Sequence, residues 1–493
     1  MINFSDLIKL DKSSNTPIYL QLTNEIIRQI QSGQLRKGLK LPGSRRLSDQ
    51  LGINRMTVVA AFDELQAQGW IDQKARKGSF VLEELPVLTP RSILETRSKL
   101  TGTKTIPFEI NNTLLPVPQL KAIEGRQLVI DDGFPDPRLA PLEELTRSMR
   151  GLSKIPTYKK YLLYSDTRGN QMLREILANF LNDTRGLPVT ANNLLLTRGA
   201  IMGIYLAARV ITQPGNHIIM SEPGFRFSRE MFLQLQLNIH TVPVDEYGLD
   251  IEKVERICMS KDIRFVYTVP HHHYPTTVTL SPERRIRLLE LAKHYNFAII
   301  EDDYDYDFHF ASKPMMPMAS IDRNGNVIYV GTLTKTLAPA IRIGFLTATE
   351  KFVDYATSYR RLIDFQGDTF LELAIAELYR DGIIEKCIKK SLEIYKNRRD
   401  YFCELLRTRF KEKVSFNIPN GGMSVWTKFN GIDLQKLSEA VSKKGLLISD
   451  GTKYDSKEVK YNSIRMGFAS LNISEQEEAI EILKSCIEQC LKE

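Results

Sequence analysis

The first eighty residues carry apolar side chains at helical spacing, broken by glycines and by residues that favour helix ends. An apolar series at i, i+3, i+4 and i+7 predicts an amphipathic helix that begins after Pro17 and ends near Gly33. Ser44 is the predicted N-cap of a short second helix that runs to Leu51. Asn54 is the predicted N-cap of a third helix, whose inner face is apolar.

Two short helices joined at Gly52, followed by a β-hairpin over 70–81, are typical of a winged helix-turn-helix. The second helix of such a pair turns its first residues to base edges in the major groove, and the wing reaches the flanking minor groove. A three-helix structural module would give the same spacing, but basic residues at these positions favour DNA. The predicted DNA contacts are Arg45, Asn54, Arg55, Thr57, Lys77 and Gly78.

From about residue 127, short apolar runs alternate with helical patterns. This alternation predicts an α/β domain with a mostly parallel sheet and helices on both of its faces. Ser281, followed by a proline, is a clear helix start within it. The predicted strands next to candidate chemistry are 193–197, 217–220, 265–269, 297–300 and 327–330.

The carboxyl ends of parallel strands share one sheet edge, where ligands bind in open α/β folds. Gly199 opens a helix whose amide N–H groups could meet a phosphate. Phe225 could stack on a planar ring, or could equally be core. Asp302 ends a buried strand and therefore needs a cationic partner. Lys335 follows Thr332 and could form a Schiff base with an aldehyde cofactor.

Two further stretches bear on chemistry. The consecutive histidines 271–273 follow a predicted strand, but neighbours in an extended chain cannot all face one ion. We therefore predict no zinc site. Arg465 lies in a predicted strand near the C-terminus and could grip a carboxylate through two parallel hydrogen bonds.

Length and charge place these elements in separate modules. A chain of 493 residues is expected to form two or three domains. Residues 1–82 hold 12 Lys/Arg and 7 Asp/Glu, a net charge of +5, so the remaining residues carry only +3 of the total +8. A basic module joined to a nearly balanced one suggests a nucleic-acid reader attached to another function.

The expected domains are 1–82, a linker over 83–126, and 127–493, with a large part over about 127–380 and a C-terminal α+β subdomain over about 381–493. The linker is inferred from scattered prolines and lost periodicity. No stretch approaches the length of an apolar membrane span, and no signal-peptide pattern opens the chain. Five scattered cysteines indicate reduced thiols, so we expect a cytoplasmic protein.

The first module resembles the winged-helix domain of the GntR family, in unbroken order from Pro17-Ile18-Tyr19 to Gly78-Ser79-Phe80-Val81. The rest resembles the pyridoxal-phosphate aminotransferases of fold type I. The stretches that carry this likeness include 164–169, 222–225, 301–305, 331–339 and 465–468. A GntR winged helix joined to such a domain resembles the MocR/GabR-type regulators.

The resemblance implies roles for particular residues. Lys335 would form the internal aldimine, Asp302 would pair with the pyridinium nitrogen, and Tyr304 would bond the phenolic oxygen. Phe225 would stack on the ring beside Tyr274. The phosphate would be held by Gly199, Ala200, Thr332, Thr334 and Arg342, and the carboxylate of an effector by Arg465.

Four positions depart from the related patterns. Arg198 replaces a small hydroxyl residue of the phosphate loop, and Tyr274 stands where many aminotransferases have Asn. Thr277 replaces the glycine that usually follows Pro-Thr. Phe227 stands where a GABA-responsive regulator has arginine, so the resemblance does not extend to GABA as the effector.

The resemblance implies a DNA-binding transcriptional regulator that senses an amino-acid-like or amine effector, or pyridoxal phosphate itself. It would be a homodimer, with a domain-swapped arrangement open. The alternative is an active aminotransferase that carries an accessory winged helix and uses Lys335, Asp302 and Tyr304 as its catalytic residues. Base-reading residues favour the regulator, since a free-standing enzyme does not need them.

Overall fold

The computed structural model describes residues 4–14, 16–74, 77–83, 109, 128–310, 315–456 and 458–490. The chain forms two compact units, Met1–Ile110 and Asn111–Glu493. Nearly all of the predicted linker, 83–126, lies outside the described residues, so its bounds stay a prediction. In the described part of the chain, no helix is long and apolar enough to cross a membrane.

The first unit is a winged helix, as predicted. Its helices enclose one apolar core that includes Leu22, Ile26, Val58 and Phe62. The strands of its wing pair antiparallel, and Lys40 adds a bridge to Phe80. Its elements are α1 (Phe4–Leu7), α2 (Ile18–Gln31), α3 (Ser44–Leu51), α4 (Arg55–Ala67), β1 (Ile71–Lys74) and β2 (Gly78–Val81).

The helix ends of this unit test the predicted caps. Asn54 caps α4, because its side chain accepts a hydrogen bond from the Met56 N–H at 2.8 Å. Gly52 ends α3 in the left-handed conformation, with φ of 61°. The prediction for Ser44 is wrong: Gly43 is the N-cap, in extended conformation, and Ser44 is already the first helical residue.

The second unit contains an eight-stranded sheet in the order β4-β11-β10-β9-β8-β5-β6-β7. Its central pairings are parallel, as predicted. Strand β11 runs antiparallel to both of its neighbours, so β4 points in the same direction as β10. The strands are β4 (Leu194–Thr197), β5 (His217–Glu222), β6 (Asn238–Asp245), β7 (Gly248–Leu249), β8 (Ile263–Thr268), β9 (Ala298–Asp303), β10 (Val327–Thr332) and β11 (Gly344–Thr347).

Helices cover both faces of this sheet, so alternate residues of its strands pack into different apolar cores. Leu194 and Leu196 pack in one apolar cluster and Leu195 in another. Such two-sided burial is why these strands read as continuous apolar runs. The helices around the sheet are α5 (Leu142–Lys154), α6 (Gln171–Arg185), α7 (Ala200–Ile211), α8 (Arg226–Gln234), α9 (Ile251–Cys258), α10 (Pro282–Tyr295), α11 (Met318–Ile321), α12 (Glu350–Ile363) and α13 (Thr369–Arg380).

The C-terminal subdomain is α+β, as predicted. Three antiparallel strands pack against helices around a separate apolar core. A strand from the start of this unit, β3 (Leu128–Val129), pairs here with β14, across more than three hundred residues of sequence. The other elements are α14 (Ile383–Phe410), β12 (Val414–Phe416), β13 (Ser424–Phe429), α15 (Leu434–Ser442), β14 (Leu446–Leu447), β15 (Ser463–Gly467) and α16 (Ile473–Cys490).

Candidate cofactor and effector site

The predicted site residues of the second unit gather at one edge of the large sheet. Strands β4, β5, β8, β9 and β10 all point toward this edge. Two of them run further than predicted: β9 includes Asp302 and Asp303, and β10 includes Thr332. These polar residues are therefore held rigidly by strand pairing rather than by a loop.

Lys335 lies just beyond β10 and is partly buried. Its Nζ donates to the carbonyl of Gly133 at 2.5 Å. The same nitrogen lies 5.1 Å from the ring centre of Phe134 and 5.6 Å from that of Tyr304. Burial lowers the pKa of the Lys335 ammonium to about 8, against the attraction of Asp305. The amine is therefore closer to its nucleophilic neutral form at physiological pH than an exposed lysine.

Asp302 and Asp303 are adjacent on β9 and face opposite sides of the sheet. Oδ2 of Asp302 accepts a hydrogen bond from the Tyr267 hydroxyl at 2.7 Å, whereas its buried Oδ1 has no hydrogen-bond partner among the described residues. Burial raises the pKa of the Asp302 carboxyl to about 7. A protonated pyridine nitrogen is the kind of partner that this oxygen lacks.

Asp303 belongs to a different network on the other face. It accepts the Tyr329 hydroxyl at 2.7 Å and lies 3.2 Å from Nδ1 of His271. Burial opposes its ionised form, but the charges of His271 and Arg185 hold the pKa of Asp303 at about 2. Asp303 is thus engaged by an ion-pair contact and a hydrogen bond within the protein, although its Oδ1 accepts no hydrogen bond from the described part of the chain, so Asp302 is the better suited of the two to a cofactor.

The residues predicted to hold a phosphate lie at the end of the edge formed by β4, β11 and β10. Gly199 begins α7 with φ of 80°, and a Cβ there would lie 2.6 Å from a guanidinium nitrogen of Arg342. Arg342 is held by the carbonyl of Arg198 at 3.0 Å. The hydroxyl of Thr332 donates to that of Thr334 at 2.8 Å. Helix amides, two hydroxyls and one guanidinium therefore converge, together with Ala200 at the helix start.

Arg465 is buried on β15 and approaches the same edge from the C-terminal subdomain. Its Nη2 donates to the Tyr304 hydroxyl at 3.3 Å, and its guanidinium lies 4.8 Å from the ring centre of Tyr274. The rings of Phe225 and Tyr274 meet edge-on at 5.1 Å. The three aromatic residues predicted around a cofactor ring thus form one group, in which Tyr304 contacts both Lys335 and Arg465.

Several residues at this edge were missed by sequence reasoning: Asp132, Gly133, Tyr267, Lys453 and Tyr454. Asp132 accepts hydrogen bonds from residues more than a hundred positions away, including the Tyr454 hydroxyl at 2.9 Å. No local pattern marks such a residue, because its neighbours are set by long-range packing.

The three consecutive histidines point to different partners. His272 Nδ1 lies 2.8 Å from Asp305, His273 lies 2.8 Å from both Thr276 and Ser221, and His271 contacts the Met315 carbonyl. Within the described ranges, no group of three or more His, Cys, Asp or Glu side chains is arranged to hold a metal ion. Each imidazole is therefore engaged by a different part of the protein.

The predicted DNA contacts lie on the helix-turn-helix and on the wing. Arg45, Asn54, Arg55, Lys77 and Gly78 are exposed, and Thr57 is half-buried. Arg55 at the start of α4 reaches the Ser44 hydroxyl of α3 at 3.5 Å, so the two helices of the motif meet there. Lys40, not predicted, lies 5.7 Å from the ring centre of Phe80 on the wing. Two residues of the wing tip, 75 and 76, are outside the described part.

Comparison with known proteins agrees with both units. Residues 137–483 match the family described as "Aminotransferase class I and II", and residues 18–81 match "Bacterial regulatory proteins, gntR family". The chain belongs to the class I and II aminotransferase family. Its fold neighbours include the kynurenine aminotransferase of Pyrococcus horikoshii, solved with pyridoxamine phosphate, at TM-score 0.69 and 28% identity over 75% of this chain and 93% of that one.

Relatives that align over both units identify the class of protein more closely. The chain is 28% identical to the uncharacterized HTH-type transcriptional regulator YdfD of Bacillus subtilis, over 93% of this chain and 94% of YdfD. It is 23% identical to the probable rhizopine catabolism regulatory protein MocR of Rhizobium meliloti, over 97% and 95%. A GntR domain fused to a pyridoxal-phosphate aminotransferase fold makes this chain a MocR/GabR-type transcriptional regulator.

Proposed function

We propose that this regulator binds operator DNA through its winged helix and couples that binding to an amino-acid-like effector at the pyridoxal-phosphate site. The observation that carries the proposal is the joining, in one chain, of a basic winged-helix unit to a second unit whose sheet edge holds Lys335 and the partnerless oxygen of Asp302. A DNA-binding regulator of this kind acts in the cytoplasm, where we place it.

Each residue at the edge has a proposed task. The Lys335 amine holds the cofactor, and Asp302 holds a proton on the pyridine nitrogen through its free Oδ1. Tyr304 bonds the ring oxygen and Phe225 and Tyr274 pack on the ring. When bound, pyridoxal phosphate supplies an electrophilic carbon for an amine and an electron-withdrawing ring. The phosphate is held by Gly199, Ala200, Thr332, Thr334 and Arg342.

Arg465 takes the effector carboxylate in this proposal. Its present hydrogen-bond partners are neutral oxygens of Tyr304, Pro275 and the Asp132 backbone. A carboxylate is a stronger acceptor than any of these, because the bond is then charge-assisted on both sides. The effector shifts the protein toward the state in which this contact forms, and only by its differential affinity for that state.

We further propose that the regulator is a homodimer built on the second unit. An exposed apolar surface lies beside the ligand edge, where Tyr164 contacts the Phe365 ring at 4.8 Å. Its members Leu163, Tyr164 and Leu362 are 68%, 83% and 84% exposed. Apolar exposure on this scale marks an interaction surface, and a second copy of the chain is the proposed occupant.

A Leu362→Glu change should lower the mass measured by sedimentation. Whether the winged helix is swapped between subunits stays a prediction.

The regulatory proposal is tested by fluorescence anisotropy on promoter DNA, with the cofactor-loaded protein and added amino compounds. We expect sequence-dependent DNA binding whose affinity changes with the effector. A protein that binds all DNA alike and ignores every amine would contradict the proposal. Arg28→Ala is a suitable control, because Arg28 lies on α2, paired with Glu25 rather than on the recognition helix.

An active aminotransferase is the second candidate, favoured by the lowered pKa of Lys335 and the intact Asp302 partner site. The structural neighbour from Pyrococcus horikoshii was solved with kynurenine as a substrate. Steady turnover of an amino donor with a keto acid would support this candidate. A single half of the reaction, without turnover, would support the sensor.

A further inference from the structure

An ion pair beside Arg465 suggests which effector the site accepts. Lys453, in the turn after β14, forms a salt bridge with Asp132, from the segment after β3. The Asp132 carboxylate also accepts the Tyr454 hydroxyl at 2.9 Å and the Tyr274 hydroxyl at 3.2 Å. Its backbone carbonyl accepts from Nε of Arg465 at 3.0 Å. Asp132 thus joins the Tyr274 loop, the Lys453 turn and Arg465.

In the cluster of Asp132, Lys453 and Arg465, the guanidinium of Arg465 is the cation that remains for a ligand. Burial favours the neutral acid, but Lys453 and Arg465 hold the pKa of Asp132 below its ordinary value, so it is ionised at neutral pH. That carboxylate neutralises the Lys453 ammonium. The hydrogen bonds of Arg465 go to neutral oxygens, which leaves its charge as the one that an incoming carboxylate can match.

The space around this cation is walled by aromatic side chains. Tyr274 lies against the guanidinium, and Trp426 is directly opposite Arg465 in the pairing of β13 with β15. The rings of Trp426 and Tyr454 meet edge-on at 4.9 Å. Phe134, which is 39% exposed, lies beside the Lys335 amine. Aromatic rings favour an apolar or aromatic side chain over a second charge.

We propose that the effector is an α-amino acid with a single carboxylate and an uncharged aromatic side chain, and that Asp132 sets this preference by neutralising Lys453. The inference rests on the sensing function proposed above and deepens it. An acidic side chain would meet the Asp132 carboxylate and find Lys453 already paired. Like charges brought together in a binding site weaken binding by at least about tenfold.

The test titrates the cofactor-loaded full-length protein with L-phenylalanine, L-leucine, L-glutamate and GABA. The ligand-induced change in the visible absorbance of the bound cofactor reports binding, and DNA anisotropy reports regulation. We expect L-phenylalanine to act at concentrations about tenfold or more below those of L-glutamate. L-leucine has the same charge as L-phenylalanine but lacks the ring. Comparing the two therefore tests the preference for an aromatic side chain separately from the preference for charge.

Two variants test the role of Asp132. In Asp132→Asn the carboxylate is gone and Lys453 is released, so L-glutamate should gain about tenfold in affinity relative to L-phenylalanine. In the double variant Asp132→Asn/Lys453→Met the gain should be smaller, because the released cation is absent and only the relief of like-charge repulsion remains. If Asp132→Asn merely loosened the site, the single and double variants would gain the same affinity for L-glutamate. Thermal unfolding checks that both variants are folded.

The outcomes separate the two proposals. If L-glutamate or GABA acts on the wild-type protein as well as L-phenylalanine does, the effector class is wrong while the sensing function stands. If Asp132→Asn leaves the glutamate-to-phenylalanine ratio unchanged, Asp132 does not set the preference. If no amino compound alters either absorbance or DNA binding, the sensing function fails and the effector class with it. The wild-type titration decides the effector class even if a variant does not fold.

Discussion

The two units of this chain build their functional surfaces in opposite ways. On the winged helix, the predicted DNA contacts come from two short stretches, 45–57 and 77–78, and are almost all exposed. At the sheet edge, the ligand residues come from positions 132 to 465, and the central ones are buried, with Asp302 and Arg465 only 4% and 2% exposed.

The two surfaces therefore place different requirements on the fold. An exposed Arg55 needs only a helix start to aim it at a base edge. A buried carboxylate or guanidinium needs partners, because burial of an unpaired charge is costly. Changes at the sheet edge should therefore alter cofactor binding, pH response and stability together, whereas changes on the recognition helix should alter DNA specificity alone.

The largest expected effect is on Lys335. Lys335→Ala should abolish the visible absorbance of the lysine-bound cofactor, because it removes the buried amine that follows β10 at this point of the edge. The fold and the affinity for DNA without effector should remain. Absorbance spectra after soaking with pyridoxal phosphate measure this, with exposed Lys351→Ala as the matched control. Retained absorbance would show that another lysine carries the cofactor.

The same substitution at Asp302 and at Asp303, two adjacent residues of β9, should have different effects. Asp302→Asn should weaken cofactor affinity by about 10- to 100-fold, the worth of a hydrogen bond to a charged group. Asp303→Asn should instead lower stability by about 2 kcal/mol, since Tyr329 and His271 lose a buried carboxylate. Cofactor titrations and thermal unfolding of both variants check this. Equal effects on affinity would contradict the assignment of Asp302.

On the recognition helix, Arg55→Ala should relax the preference at one base pair by about 1–3 kcal/mol. Cofactor absorbance should be unchanged, because Arg55 is an exposed residue of the other unit. Anisotropy on operators with single base changes measures the effect, against Arg28→Ala. Unchanged DNA binding would mean that α4 is not the reading helix.

The pH dependence of stability also distinguishes the two units. Burial raises the pKa of Asp302 from 3.8 to about 7, so between these values the folded protein holds a proton that the unfolded chain has lost. Folding stability of the cofactor-free protein should therefore fall as pH rises through this window, by up to about 1.4 kcal/mol per pH unit. Asp302→Asn should show a smaller fall, because burial also raises the pKa of Glu301 to about 7 and that carboxyl contributes over the same pH range. Thermal midpoints at pH 5 and pH 8 provide the comparison.

The smallest predicted effect is at Thr277, a β-branched residue with φ of 64°. This left-handed conformation is one that glycine adopts without strain. Thr277→Gly should raise stability by about 1 kcal/mol, the usual strain of such a residue. Thr277→Ala keeps a Cβ and should not. A destabilised glycine variant would show that contacts of the threonine side chain outweigh its strain.

Local sequence was a reliable guide where a short segment decides the structure. Asn54 and Ser281 cap helices as predicted, Gly52 ends one, and apolar runs gave the strands. The N-cap at Ser44 was wrong because either of two neighbouring residues could occupy the non-helical position, and Gly43 took it. The ends of β9 and β10 were placed too early, because strand pairing extended them over polar residues.

For the site, the sequence by itself determined the chemical groups that end each strand, since Lys335, Asp302 and Thr332 directly follow or lie within runs that must be buried strands. Their convergence with Arg465 depended on strand order, which no local pattern encodes. The cluster of Asp132, Lys453 and Tyr454 was decided by tertiary structure alone. Asp132 is 321 residues from Lys453 and 322 from Tyr454, and the pairing of β3 with β14 brings these side chains together.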